Sequence, residues 1–253
     1  RWLVQKKNQA SKARTILIDL GEAHPDTVLA AIESDKKQHT QSKLFSGAYK
    51  KAAWFAFLFA AFNQLSGINF IIYYAPRVFE LAGLDVNQSL LSGVNLCFTM
   101  LGLSLIDKFG RRSLMYVGSI GYVLSLTVIA WAFSTGSGGL TVVAFVFVFI
   151  AAHAIGQGTV IWVFIAEIFP NSVRSKGQSL GSGTHWFFAA AITLFMPFFL
   201  EQFSPAEVFG FFTVMMLGQL IFVAWFMPET KGRSLEDISL NSKNKHGVLD
   251  ANG

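Results

Sequence analysis

Charge is scarce in this chain. Only 14% of its 253 residues are Asp, Glu, Lys or Arg, where a soluble domain carries about 25%. Cysteine is scarcer still: Cys97 stands alone, so neither an intrachain disulfide nor a cysteine-rich metal site can form. No His-Glu-x-x-His pair and no Gly-x-x-x-x-Gly-Lys loop occurs, which removes the visible machinery of metal-assisted and nucleotide hydrolysis. No metal, no other cofactor and no enzymatic activity are expected, since no catalytic pair stands within the apolar runs. Residues 1–51 start at Arg1 rather than Met. They are polar and lack the apolar core of a signal peptide, so none is expected.

What fills the sequence is apolar: 53% of residues are hydrophobic and 26 are Phe. They gather in six stretches, about 52–75, 89–106, 113–133, 140–165, 179–200 and 206–227. Each is long enough to cross ~30 Å of hydrocarbon at 1.5 Å per residue. Six buried helices in succession would leave a soluble protein no surface, so lipid is the solvent. In lipid the backbone must satisfy its own N–H and C=O groups, which calls for helices. The alternating segments of a membrane barrel, about ten residues each, are absent. The fold class is therefore all-α membrane protein with six transmembrane helices spanning 52–228, preceded by a linker at 1–51 and followed by a tail at 229–253.

The basic residues set an orientation. Of 20 Lys and Arg, ten lie in 1–51, three in 107–113, two in 170–177 and four after Pro228, while the alternate connections hold Arg77 alone. By the positive-inside rule both ends of the chain are cytoplasmic. The net charge of +5 is thus a topology signal. A nucleic-acid partner would need base-stacking aromatics beside a basic face, and here the aromatics lie in the spans.

Within 1–51, Ala10, Ala13, Leu17 and Leu20 share one helical face, and Pro25 suits the first turn of a second short helix over 25–37. Two spans carry interruptions. The first holds Asn63-Gln64-Leu65-Ser66-Gly67-Ile68-Asn69, the fourth Gly156-Gln157-Gly158-Thr159. Polar groups in hydrocarbon are costly unless they face protein or a water-filled cavity. Spans one and four open two three-helix groups, and Gly-interrupted spans at corresponding positions point to a transporter binding site.

The motif at 63–69 followed by Tyr73-Tyr74 resembles the seventh helix of the sugar porters, a branch of the major facilitator superfamily. Asp107-Lys108-Phe109-Gly110-Arg111-Arg112 is similar to that superfamily's cytoplasmic loop motif. Trp162 with Glu167-Ile168-Phe169-Pro170 and Arg174 resembles the tenth helix and its exit, and Pro228-Glu229-Thr230-Lys231-Gly232 the signature after the twelfth. Arg1-Trp2-Leu3 matches the end of the motif that leaves the sixth helix. The resemblance covers residues 1 to about 238.

It implies the carboxyl-terminal bundle of a twelve-helix major facilitator fold, in the plasma membrane or the inner membrane of a bacterium. The absent amino-terminal half would be its partner. The expected function is movement of a monosaccharide by alternating access, with a polyol carrier or a non-transporting sugar sensor as the alternatives. A coupling proton is left open. Carried over position by position, the sugar ligands would be Asn63, Gln64, Asn69, Asn95, Trp162, His185 and Trp186. Tyr73 and Tyr74 would form an outer gate. Asp107, Arg111, Arg112, Glu167, Arg174 and Glu229 would form a charge network closing the inner one.

The residue types suit that cargo on their own terms. Amides both donate and accept, as sugar hydroxyls do, and indole rings pack on C–H faces. The competing role for the amides is interhelical glue, worth about 0.6 kcal/mol per bond; for the Arg residues it is interfacial anchoring. Three departures from the family pattern stand out. Gln157, Thr159 and Ile161 replace prolines, which leaves any hinge to Gly156 and Gly158. Asn63 is shorter than the usual Gln. His185 stands where Asn or Gln is commoner, and could serve a hydroxyl as an amide does while also titrating. His153 is expected to be an interior histidine satisfied by its neighbours.

Overall fold

The computed structural model describes residues 2–5, 7–22, 24–30, 32–33, 44–45, 47, 49–84, 86–170 and 172–232. The tail beyond 232 and residues 34–37 of the second surface helix lie outside them.

Six helices among the described residues are long and apolar enough to cross a membrane: Lys50–Leu81, Ser89–Phe109, Arg111–Ser134, Leu140–Glu167, Arg174–Gln202 and Pro205–Trp225. Five of them end beyond their apolar stretch, while the sixth ends two residues short of it. The first passes Pro76, where the sequence pattern ends, and continues to Leu81. Proline has no N–H to give the carbonyl four residues back. Gln88 Nε2 donates to that carbonyl, on Ile72, at 2.6 Å. The fifth span repeats the device. Pro197 lies inside it, and Tyr74 donates its hydroxyl to the Thr193 carbonyl at 3.3 Å.

Both interrupted spans are interrupted in the backbone. The first divides into Lys50–Leu65 and Ile68–Leu81 around Gly67, whose φ is +82°. Only glycine adopts that region freely, and a Cβ there would also strike Phe212. In the fourth, Ala154–Gly158 forms a π-helical turn between Leu140–His153 and Thr159–Glu167. Such bulges collect at functional sites. Gly156 abuts Gly118 backbone to backbone, so it serves close packing of the third and fourth spans.

The third span packs on the fourth and sixth, and the fifth on the first. Two apolar clusters fill the interior. One gathers Phe55, Phe59, Phe164, Phe169 and Phe222 toward the basic end. The other gathers Phe70, Phe79, Tyr122, Phe149, Phe209 and Phe212 toward the opposite end. Burial is uneven: 17% of the apolar window of the second span and of the fifth is buried, against 67% for the first. Two helices thus present an uncovered face.

At the chain's start, Ala10–Asp19 is helical, as are 25–30 and 32–33. Arg14 joins the two through paired bonds of 2.7 and 3.0 Å to Asp26. That bond lowers the Asp26 pKa.

Candidate binding site

The break in the first span sets Asn69, just after it, back over Gln64, just before it. Asn69 Nδ2 donates to Gln64 Oε1 at 2.8 Å, and Gln64 Nε2 donates to Asn63 Oδ1 at 2.9 Å. The same Gln64 nitrogen lies 3.1 Å from both ring nitrogens of His185. His185 is flanked by two indoles, Trp162 at 5.0 Å and Trp186 at 5.2 Å between ring centroids. Residues from the first, fourth and fifth spans thus meet in one patch.

Its layers differ. Asn63 and Gln64 are 2% and 1% exposed, so in this conformation they form the floor. Asn69 and His185 are half-buried, and Trp162 and Trp186 are exposed. The upper layer therefore offers an amide edge and an imidazole edge, the imidazole beside two exposed indole rings. Asn95 stands outside this bonded group. It lines a cavity of about 390 Å³ with Ile72, Gln88, Ser92, Thr99 and Ile150. Tyr73 is exposed, and Tyr74 tethers the fifth span as described. The hydroxyl of Tyr122 lies 2.5 Å from His153 Nδ1, so His153 is engaged by a neighbour.

At the basic end the charges interlock within this bundle. Arg111 meets Glu167 through two bonds of 2.6 and 3.0 Å and Asp107 through one of 3.0 Å. Thr230 adds a bond to Glu167 at 2.7 Å. Glu229 accepts from the backbone N–H of Arg111 and of Arg112, each at 3.0 Å, and so caps the third span. Burial works against its ionisation. The backbone N–H groups of Lys231, Arg111, Arg112 and Thr230 outweigh that and hold its carboxyl below the usual carboxylate range. In return, Arg112 donates to the Ala224 and Val223 carbonyls at 2.5 and 3.3 Å, at the end of the sixth span. Arg174 donates to the Phe169 carbonyl in its own connection at 3.1 Å and stands apart from the Arg111 cluster.

Sequence reasoning missed two members of the interior. Gln157 was legible only as part of the fourth span's interruption and as a replaced proline, and Gln219 not at all. The available signal was a lone amide in an apolar span, which must find a partner.

The family model described as "Sugar (and other) transporter" matches residues 1–241. The chain belongs to that family. Among similar proteins, the arabinose-proton symporter of Bacillus subtilis is 32% identical over 94% of this chain and 53% of its own length. The glucose facilitated diffusion protein of Zymomonas mobilis is 33% identical over 94% and 53%. Among solved structures, the proton:xylose symporter bound to 6-bromo-6-deoxy-D-glucose superposes with a TM-score of 0.75 at 25% identity, covering 93% of this chain and 52% of that one. The chain has the major facilitator fold and is a multi-pass membrane protein, and it spans about half the length of the relatives it matches.

Proposed function

We propose that the chain is the second six-span bundle of a twelve-span transporter that moves a monosaccharide by alternating access. The single observation that carries this is the patch in which Asn69 and His185 meet over Gln64, with Trp162 and Trp186 beside His185. It lies where the poorly buried fifth span meets the two broken spans. Half-buried polar edges beside aromatic plates suit a ligand that is polar at its rim and apolar on its faces. Such a surface open to lipid would be costly, so a second bundle covers it and completes the cavity.

The other assignments follow from this reading. Asn69, His185, Trp162 and Trp186 contact sugar, Gln64 and Asn63 support them from below, and Asn95 reaches the cargo from the second span. Tyr73 and Tyr74 belong to the outer gate. The Arg111–Glu167–Asp107 cluster with Arg112 and Glu229 holds the inner end of this bundle, where Arg174 remains available to the partner bundle. Both ends of the chain face the cytoplasm, with 1–51 as linker and 229–253 as tail.

Uptake of labelled arabinose, xylose and glucose tests the reading. The twelve-span protein is reconstituted in vesicles beside this chain alone, with and without a proton gradient. Saturable uptake by the twelve-span protein and none by the chain alone is expected, and gradient dependence separates symport from facilitated diffusion. Saturable uptake by the chain as a monomer would overturn the two-bundle reading.

A further inference from the structure

The floor of the patch does not end at Asn63. Its Nδ2 donates to Gln157 Oε1 at 3.4 Å, Gln157 Nε2 donates to Gln219 Oε1 at 2.7 Å, and Gln219 Nε2 donates to Ser119 Oγ at 2.8 Å. With the bonds already described, five amides run head to tail from Asn69 through Gln64, Asn63, Gln157 and Gln219 to a serine. They join the first, fourth, sixth and third spans. Asn63, Gln64, Gln157, Gln219 and Ser119 are each at most 2% exposed. In sequence, each falls between the residues its span gives to the two apolar clusters. The chain of amides is therefore a thin polar layer at mid-depth, sealed on both sides.

We propose that Gln157 and Gln219, which touch no substrate, are positioning residues that set the donor and acceptor pattern offered to the sugar. This rests on the transport reading above. An amide has an oxygen that only accepts and a nitrogen that only donates. Turning one amide over would set oxygen against oxygen on one side and nitrogen against nitrogen on the other. The five must keep one direction together, so the direction at Gln64 is held by residues two spans away.

Gln64 transmits it. Its nitrogen serves Asn63 and His185 and its oxygen serves Asn69. With Gln64 turned over, Asn69 would have to present its oxygen inward and His185 an N–H. The atoms these two residues leave for the ligand would exchange roles. A sugar hydroxyl tolerates such an exchange by rotating, but a ring oxygen or a fluorine only accepts. The buried amides therefore act on selectivity between acceptor-only and hydroxyl positions.

Interhelical glue is the competing role, and the two part in a double substitution. Gln219→Leu alone strands the Gln157 nitrogen and should lower thermal stability. Adding Gln157→Met removes both partners of the 2.7 Å bond together and opens only the longer 3.4 Å contact from Asn63, so part of the lost stability should return. The measurements are melting temperature and affinities for the best-bound monosaccharide and its singly deoxy- and fluoro-substituted analogues, all in the twelve-span protein. The double variant should recover part of the lost stability yet bind about five- to tenfold more weakly than the parent, with the preference between fluoro and deoxy analogues diminished. Recovered stability with an unchanged analogue preference would overturn the proposal.

A second pair covers failure of the double variant to fold. Gln157→Glu still accepts from Asn63 and should keep the analogue preference, whereas Gln157→Met should lose it; equal preferences would again overturn the proposal. No sugar binding by the unsubstituted protein would overturn the transport reading itself, and this inference with it.

Discussion

Tyr74 donates its hydroxyl to the carbonyl of Thr193, the group that Pro197 leaves without a helical partner. A tyrosine of the first span thus stands in for the missing N–H of a proline in the fifth. Tyr74→Phe removes the donor and leaves the ring's packing on Phe70. The expected loss is about 0.5–1.5 kcal/mol of stability, seen as a lower melting temperature in detergent. Replacing Pro197 by Ala restores the N–H, so Tyr74→Phe should cost much less in a Pro197→Ala background. Equal losses in both backgrounds would detach Tyr74 from the kink.

Gly110 and Glu229 form a second relationship of this kind. Gly110 has φ +86°, and a Cβ on it would lie 2.5 Å from Glu229 Oε2. Gly110→Ala therefore meets both backbone strain and the carboxylate, and should cost at least the 1–3 kcal/mol usual for a strained position. Glu229→Gln should weaken the cap less. The carboxyl is held below its usual range, so its contribution is present above the unfolded-state pKa and lost as pH falls through the folded one. Melting temperature should drop on acidification in the unsubstituted protein and less so in Glu229→Gln. A Gly110→Ala protein as stable as the parent would remove the steric argument.

The six spans were legible because lipid leaves the backbone no other choice, and runs of that length have no soluble reading. Their ends were not. The apolar stretch of the first span stops at Ala75 because Pro76 and Arg77 look like a boundary. Gln88, just ahead of the next span, repairs the proline's defect, and the helix goes on. The gathering of Gln64, Asn69, Trp162, His185 and Trp186 was legible only through the family's motifs, since spacing cannot bring the first, fourth and fifth spans together. That Gln64 lies buried beneath Asn69 and His185 is a property of packing. The amide chain was hidden for a further reason: Gln219 is the lone amide of its own span, and its significance exists only across helices.

Arg111 and Glu167 share two hydrogen bonds, and the guanidinium side chain is 10% exposed against 29% for the carboxylate. Removing either partner should cost about 2–3 kcal/mol, between the surface and buried limits for ion pairs. Removing both should cost clearly less than the sum. Under the transport reading either single change also favours the inward-open state. A thiol engineered on the cytoplasmic side, in a background lacking Cys97, should then label faster. Additive losses with unchanged labelling would reduce the pair to interfacial anchoring.

The last prediction concerns His185, which stands where the family resemblance leads one to expect an amide. Gln64 offers an N–H to a ring nitrogen at 3.1 Å, a bond that requires that nitrogen to be free of its proton. Protonation would set N–H against N–H, break the contact with the floor and place a charge between two indoles. Cation–π attraction to Trp162 and Trp186 would offset part of that charge's cost, but it cannot restore the lost acceptor. Sugar affinity should therefore fall as acidification protonates His185. His185→Gln keeps a donor and an acceptor in one side chain, so it should bind sugar within a fewfold of the parent and show a flatter profile. His185→Leu should bind poorly at every pH, because it leaves one of the two Gln64 N–H groups without a partner. His153→Gln is the control for the other histidine of the interior, whose partner is Tyr122, and should leave the slope in place. Binding titrations across acid and neutral pH on these four proteins decide the matter. Identical profiles for the parent and His185→Gln would return His185 to a packing role.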